Sequence, residues 1–297
     1  MDRENIKKLS LICAGVALFV VVLTVIIVFV TGGSDGEEPP AEPSRIIPDG
    51  MRLVDDIYDG EKIIPDFDIP EMKYDHEGFS TGEDGVTRYK NAAVGIDVSE
   101  FQGEIDWYAV KAAGIDFAFI RAGYRGMTQG LLTEDSRFQE NMKNAESAGV
   151  KRGVYFFSQA VTESEAAAEA DFIIEKLQGE KLEYPVVFDW EPPVPSEELP
   201  ESSLRAHGCT GETVTKCAAA FCERVKEAGY IPCVYFNKNQ AYNFYDLEKL
   251  RNYDFWYAEY NPLPSMAYSF RIWQYTDGGS VPGIETTVDL DICMEPY

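Results

Sequence analysis

Histidine is almost absent from this chain. Its 297 residues include two, His76 and His207, which leaves no basis for Ser-His or Cys-His nucleophilic catalysis and no His-rich metal pattern. Basic residues are scarce too: 26 Lys and Arg stand against 51 Asp and Glu, for a net charge of −25. Proteins bind nucleic acid by neutralising phosphates with Lys and Arg, so no nucleic-acid partner is expected. Cysteine is present without a pattern. No Cys-x-x-Cys occurs, Cys13 lies inside an apolar run, and Cys209, Cys217, Cys222, Cys233 and Cys293 make an odd number for a disulfide framework. Buried free thiols are therefore expected. No internal repeat is visible.

Long uncharged apolar sequence occurs once, over residues 9–30. It is long enough to cross a bilayer as a helix. Arg3, Lys7 and Lys8 precede it, and Asp35, Glu37 and Glu38 follow. The positive-inside rule then keeps residues 1–8 in the cytoplasm and exports the rest. A cleaved signal peptide is the alternative, but Phe29-Val-Thr-Gly-Gly33 is a poor cleavage site. The expectation is an uncleaved single-pass anchor in the cell membrane. Residues 31–92, rich in Gly, Pro and acid, read as an acidic stalk or linker, partly ordered, with a hairpin between Tyr74 and Tyr89.

From residue 93 to 297 the texture changes. Short apolar runs alternate with helical stretches. Val94–Val98, Phe117–Arg121, Gly153–Phe157, Pro185–Trp190, Ile231–Phe236, Asp254–Ala258, Phe270–Tyr275 and Thr287–Asp291 read as eight strands. Between the first five lie helical patterns, of which Thr162–Leu177 opens with the capping signature Thr162…Glu165. Alternation implies parallel pairing, and continuously apolar strands imply burial on both faces. The fold class expected is α/β: an irregular TIM-like (β/α)5(β)3 barrel, preceded by one N-terminal transmembrane helix and an acidic stalk.

In such barrels the chemistry sits at the C-terminal ends of the strands. Strand one ends with Asp97, strand four with Asp189 and Glu191, and strand eight carries Asp289. One Asp at a strand end commonly caps a helix; four acids at matching rim positions point to a site. Asp189 and Glu191 are two apart and share a face. Like charges resist joint ionisation, so one proton is retained, expected on Glu191 as a general acid, with Asp189, Asp97 and Asp289 ionised. Clustered carboxylates would also suit Ca²⁺ or Mg²⁺, but no cofactor or metal is expected. Aromatics crowd the same strands: Tyr124, Tyr155, Phe157, Trp190, Tyr235, Trp256, Tyr260 and Trp273. Each alone suits a core; together they suit a sugar groove. Gln102, Arg121 and Gln274 could bond sugar hydroxyls or hold the acids, and Arg121 is equally a structural counter-charge.

These residues resemble a known family. Gly95-Ile-Asp-Val-Ser99 with Gln102-Gly103 and Ile105-Asp-Trp107, Phe119-Ile-Arg-Ala-Gly-Tyr124, Gly153-Val-Tyr-Phe-Phe157, Phe188-Asp-Trp-Glu191, Trp273-Gln-Tyr275 and Val288-Asp-Leu-Asp291 look like the successive strands of the glycoside hydrolase family 25 lysozymes. The resemblance spans the whole expected barrel and implies hydrolysis of the β-1,4 bond between N-acetylmuramic acid and N-acetylglucosamine in peptidoglycan. It implies Glu191 as general acid, Asp97, Asp189 and Asp289 as companion acids, and glycan strands as the partner of a monomeric barrel. Tyr124, Tyr155, Trp256, Tyr260, Gln274 and Arg121 are the expected substrate contacts. Two positions depart from the pattern. Phe156 stands where many relatives have His, and its side chain is expected to point away from the groove. Asp291 stands where Asn is common, and would shift the pH optimum if it faces the site. Inverting, retaining and substrate-assisted routes all stay open; the Asp-x-Glu spacing favours assistance by the substrate's own N-acetyl group. The competing readings are a barrel that grips glycan without cutting it and another barrel glycosidase, such as a chitinase-like enzyme.

Overall fold

The structure is a computed structural model that describes residues 46–297. The apolar run 9–30 and the first part of the stalk lie outside the described residues. Among the described residues no helix is long and apolar enough to cross a membrane.

Strands β1 (Met51–Asp56) and β2 (Gly60–Pro65) form an antiparallel hairpin. Its turn is set by Asp56, whose Oδ1 accepts from the backbone N–H of Tyr58 (2.9 Å) and Asp59 (3.1 Å), an Asx turn that frees Gly60 to take a positive φ. A second small hairpin, β3 (Ser80–Thr81) with β4 (Thr87–Arg88), lies where one was expected. The linker expected over residues 31–92 is not a linker beyond residue 46. Residues 47–297 form one compact unit. Ile64, Tyr74 and Val86 are buried, Tyr74 donates to the Phe270 carbonyl (2.7 Å), and Phe79 meets the Trp273 ring edge-on at 5.4 Å. The apolar residues scattered among the acids are what pin this segment down.

The barrel then begins. In chain order it runs β5 (Ala93–Val98), α1 (Trp107–Ala112), β6 (Phe117–Arg125), β7 (Leu132–Glu134), α2 (Phe138–Ala148), β8 (Lys151–Ser158), α3 (Glu163–Leu177), β9 (Val186–Trp190), α4 (Gly211–Glu227), β10 (Pro232–Asn237), α5 (Lys238–Asn243), α6 (Leu247–Leu250), β11 (Asp254–Ala258), β12 (Ile272–Gly279) and β13 (Val288–Cys293). Strand β7 is a short antiparallel addition to the outer end of β6. The other strands close a ring in the order β5, β6, β8, β9, β10, β11, β12, β13 and back to β5. Helices cover the connections up to β11 and are missing from the last two, as the pattern implied. One expectation is corrected. Pairing is parallel from β5 through β12, but β13 runs antiparallel to both β12 and β5. The β12–β13 connection, residues 280–287, is too short for a crossover, whereas the longer β11–β12 connection allows parallel pairing without a helix, so the chain returns here as a hairpin would.

The barrel interior is packed with Phe117, Phe119, Tyr184, Val187, Cys233, Tyr235, Trp256 and Ile272. Gly95 makes room for this filling: it pairs with Phe117 across β5 and β6, and a side chain there would collide with the Phe117 ring. Phe156 faces outward, fully buried against Phe172 of α3, as expected. The five described cysteines are free thiols, four of them buried.

Candidate active site

The reversal of β13 explains how Asp289 joins the rim. It lies near the start of an antiparallel strand, directly across from Asp97 near the end of β5. Asp97, Asp189, Glu191 and Asp289 act on one another electrostatically, so the four acids read from the sequence do converge.

Gln274 of β12 joins two of them. Its Nε2 donates to Asp97 Oδ2 at 2.7 Å and to Asp289 Oδ2 at 3.3 Å. Its Oε1 accepts from the hydroxyls of Tyr260 (2.9 Å) and Tyr235 (3.3 Å). The amide is thus held from behind by two tyrosines and presented to two carboxylates. The end of the β9 strand is held by its backbone: Gln240 Nε2 donates to the Trp190 carbonyl (2.6 Å) and Gln159 Nε2 to the Glu191 carbonyl (2.9 Å). Neither glutamine was singled out in the sequence. The signal for Gln240 was there, because Asn237…Gln240 is a reciprocal capping box that opens α5.

Burial dominates the electrostatics. It pushes Asp97 well above the usual carboxylate range, and the charges of Asp289 and Asp291 push further. Asp189 is also held far up, by burial and then by Glu191. Burial and the charge of Asp289 raise Glu191. Asp289 is raised by burial to about 6, against a hydrogen bond with Asp97 that lowers it. All four acids are raised by burial and by neighbouring charge, which runs against the expectation that Asp97, Asp189 and Asp289 are all ionised beside a protonated Glu191. Asp291 is a fifth acid. It is fully buried, takes the Trp256 indole N–H on Oδ1 at 2.8 Å, and is itself held well up by burial.

The expected substrate contacts divide. Tyr260 is half-exposed at the rim, and Tyr124 borders an apolar cleft of about 520 Å³ together with Phe101, Arg121, Met127 and Phe157. Phe157 pairs in register with Asp189, so this cleft adjoins the acids. Tyr155 is buried among them and is raised by burial and by their charges. Trp256 is corrected: at 1% exposure it is part of the barrel filling and its polar edge is spent on Asp291. Trp190 and Trp273 are likewise buried, their indoles donating to the Ala160 and Glu259 carbonyls. Arg121 borders the apolar cleft and its charge favours the ionised form of Asp189, but it makes no hydrogen bond or ion pair to the four acids. Its guanidinium binds Asp135 (2.8 Å) and Glu100 (3.2 Å) and lies over the Phe101 and Tyr124 rings. Gln102 caps the turn at Ser99. Among the described residues no group of His, Cys, Asp or Glu is arranged to hold a metal ion.

A closed eight-strand barrel with carboxylates gathered at one rim is the architecture of a barrel enzyme that works by acid–base chemistry. The sequence profile of the Glycosyl hydrolases family 25 matches residues 96–284, and the chain belongs to that family. It is 28% identical over 198 residues to the autolytic lysozyme of Clostridium acetobutylicum, covering 66% of this chain and 54% of that one. This chain thus spans about half the length of that relative. Two solved structures share the fold. The modular autolysin LytC from Streptococcus pneumoniae aligns with a TM-score of 0.60 at 24% identity, over 83% of this chain and 57% of that one. A family 25 glycosyl hydrolase from Bacillus anthracis aligns with a TM-score of 0.58 at 24% identity, over 75% of this chain and 95% of that one.

Proposed function

We propose that this protein is a peptidoglycan hydrolase that cleaves the β-1,4 bond after N-acetylmuramic acid, with Glu191 as the general acid. The observation that carries the reading is the buried carboxylate cluster at the rim of a family 25 barrel. A protonated carboxylic acid at working pH is what a departing sugar oxygen needs, and burial with neighbouring charge keeps the proton on this cluster.

Asp189 Oδ1 is buried and has no hydrogen-bond partner in the protein. A buried acceptor left open is costly, and a substrate N-acetyl amide would fill it with an N–H donor. A hydrogen bond to the ionised form favours ionisation. Substrate binding then stabilises Asp189 as the carboxylate and leaves the shared proton with Glu191. This supports attack by the substrate's own N-acetyl oxygen, with Asp189 holding the amide and the Asp97–Asp289 pair stabilising positive charge at the sugar. Tyr124 and Tyr260 form the walls of the glycan groove.

The uncharged run 9–30, with basic residues before it and acids after it, supports an anchor in the cell membrane with the barrel outside. Wall cleavage would then be confined to the reach of the tether, which suits remodelling. Mass spectrometry of peptidoglycan digested by the purified protein tests the bond: new reducing N-acetylmuramic acid ends are expected. Reducing N-acetylglucosamine ends, or release of muropeptides by peptide cleavage, would refute it.

A further inference from the structure

We propose that residues 47–92, which lie before the family-matched barrel, are a clasp for the β11–β12 connection, and that Tyr58 is a positioning residue for the catalytic acids. The inference rests on the hydrolase reading above and concerns the same site.

The clasp is built from three long-range contacts on residues 263–265. The Tyr58 hydroxyl, at the tip of the β1–β2 hairpin, donates to the Leu263 carbonyl (3.0 Å) and accepts from the Leu263 N–H (2.9 Å). His76 Nε2 lies 2.9 Å from the Pro264 carbonyl. Asp56 Oδ2 accepts from Ser265 Oγ (3.2 Å) and from Lys238 Nζ (2.7 Å). Lys238 also pairs with Glu259 Oε1 at 2.9 Å.

Glu259 closes the circuit inside the connection. Its carboxylate accepts from the Tyr257 hydroxyl (2.8 Å), Asn261 Nδ2 (3.0 Å) and Ser265 N (2.6 Å), and its backbone N–H donates to the Gln274 carbonyl (3.1 Å). The residue after it is Tyr260, whose hydroxyl holds Gln274, which in turn holds Asp97 and Asp289. A hairpin absent from the barrel thus fixes the loop that aims the amide joining two rim acids. Loops free at both sides sample many conformers; tying this one at three successive residues removes that freedom where a small misplacement costs rate.

The test uses Tyr58→Phe in the purified full chain. Tyr58 is 42% exposed and keeps its ring, so folding is expected to be preserved. The expected result is about a tenfold loss of kcat with KM within about twofold, and faster amide exchange over residues 259–265. Combined with Tyr260→Phe, the loss should be no larger than that of Tyr260→Phe alone, because both act through Gln274. Unchanged kcat with unchanged exchange overturns the clasp, and so do losses that multiply in the double variant. The exchange readout is independent of turnover: a wild-type protein that cuts no glycan, yet loses protection over 259–265 in Tyr58→Phe, refutes the hydrolase reading and upholds the clasp.

Discussion

Replacing Gln274 by Met keeps the volume at a buried position and removes the amide that touches both Asp97 and Asp289. The amide N–H lowers the Asp97 pKa against burial and two neighbouring charges. Without it the ionised form loses support, so a higher pH is needed to reach it. A hydrogen bond to a charged group contributes about 1.5–3 kcal/mol, and about 1.4 kcal/mol corresponds to one pH unit. The acid limb of log kcat against pH is therefore expected to move up by about one unit or somewhat more. The sign is fixed: activity at pH 5 should fall at least about tenfold while activity well above the limb changes far less. Initial rates on soluble peptidoglycan fragments from pH 4 to 8 read this directly. A uniform loss at every pH, or an acid limb that stays in place, would refute the role given to Gln274 and would make it a packing residue.

Asp289→Asn tests the same electrostatics through stability. Asp289 is held at about 6, against about 3.9 in an unfolded chain. As pH climbs through that window the unfolded chain releases its proton first, so the raised value costs stability above it and nothing below both values. Discounted for partial exposure, the gain on substitution is about 1–2 kcal/mol at pH 7.5, or about 2–6 °C in Tm, and close to zero at pH 3.5; calorimetry at both pH values checks it. Removing residues 47–92 along with everything before them exposes Tyr268, Phe270 and Trp273, which are buried in the intact unit. Each contributes about 1.5–3 kcal/mol when buried, so Tm should fall by about 10 °C or more relative to a chain starting at residue 47. Equal melting of the two would show that the segment is an appendage.

Asp97, Asp189 and Glu191 were legible in the sequence because strand ends can be counted and the ends of parallel strands meet at one rim. Asp289 was found for an incomplete reason: its strand runs the other way, and direction depends on whether a connection is long enough for a crossover. The same apolar, aromatic-rich strand composition serves groove and barrel filling alike, so nothing local separates Tyr260, at 50% exposure, from Trp256, at 1%. The role of residues 47–92 was hidden by distance. Tyr58 meets Leu263 205 positions away, and acids between scattered apolar residues read locally as a solvated stalk. Arg121 was read as a possible counter-charge, and its charge does act on Asp189; its direct partners, Asp135 and Glu100, sit in connections whose path only the folded chain defines.

The most direct measurement is turnover of purified peptidoglycan by Glu191→Gln beside wild type, with circular dichroism and Tm recorded for both. Gln cannot supply a proton but fills the same space, so the variant should fold as wild type, melt at the same temperature or slightly higher, and lose about a hundredfold to ten-thousandfold in kcat. Retention of wild-type turnover by a folded Glu191→Gln protein would contradict the assignment of the general acid.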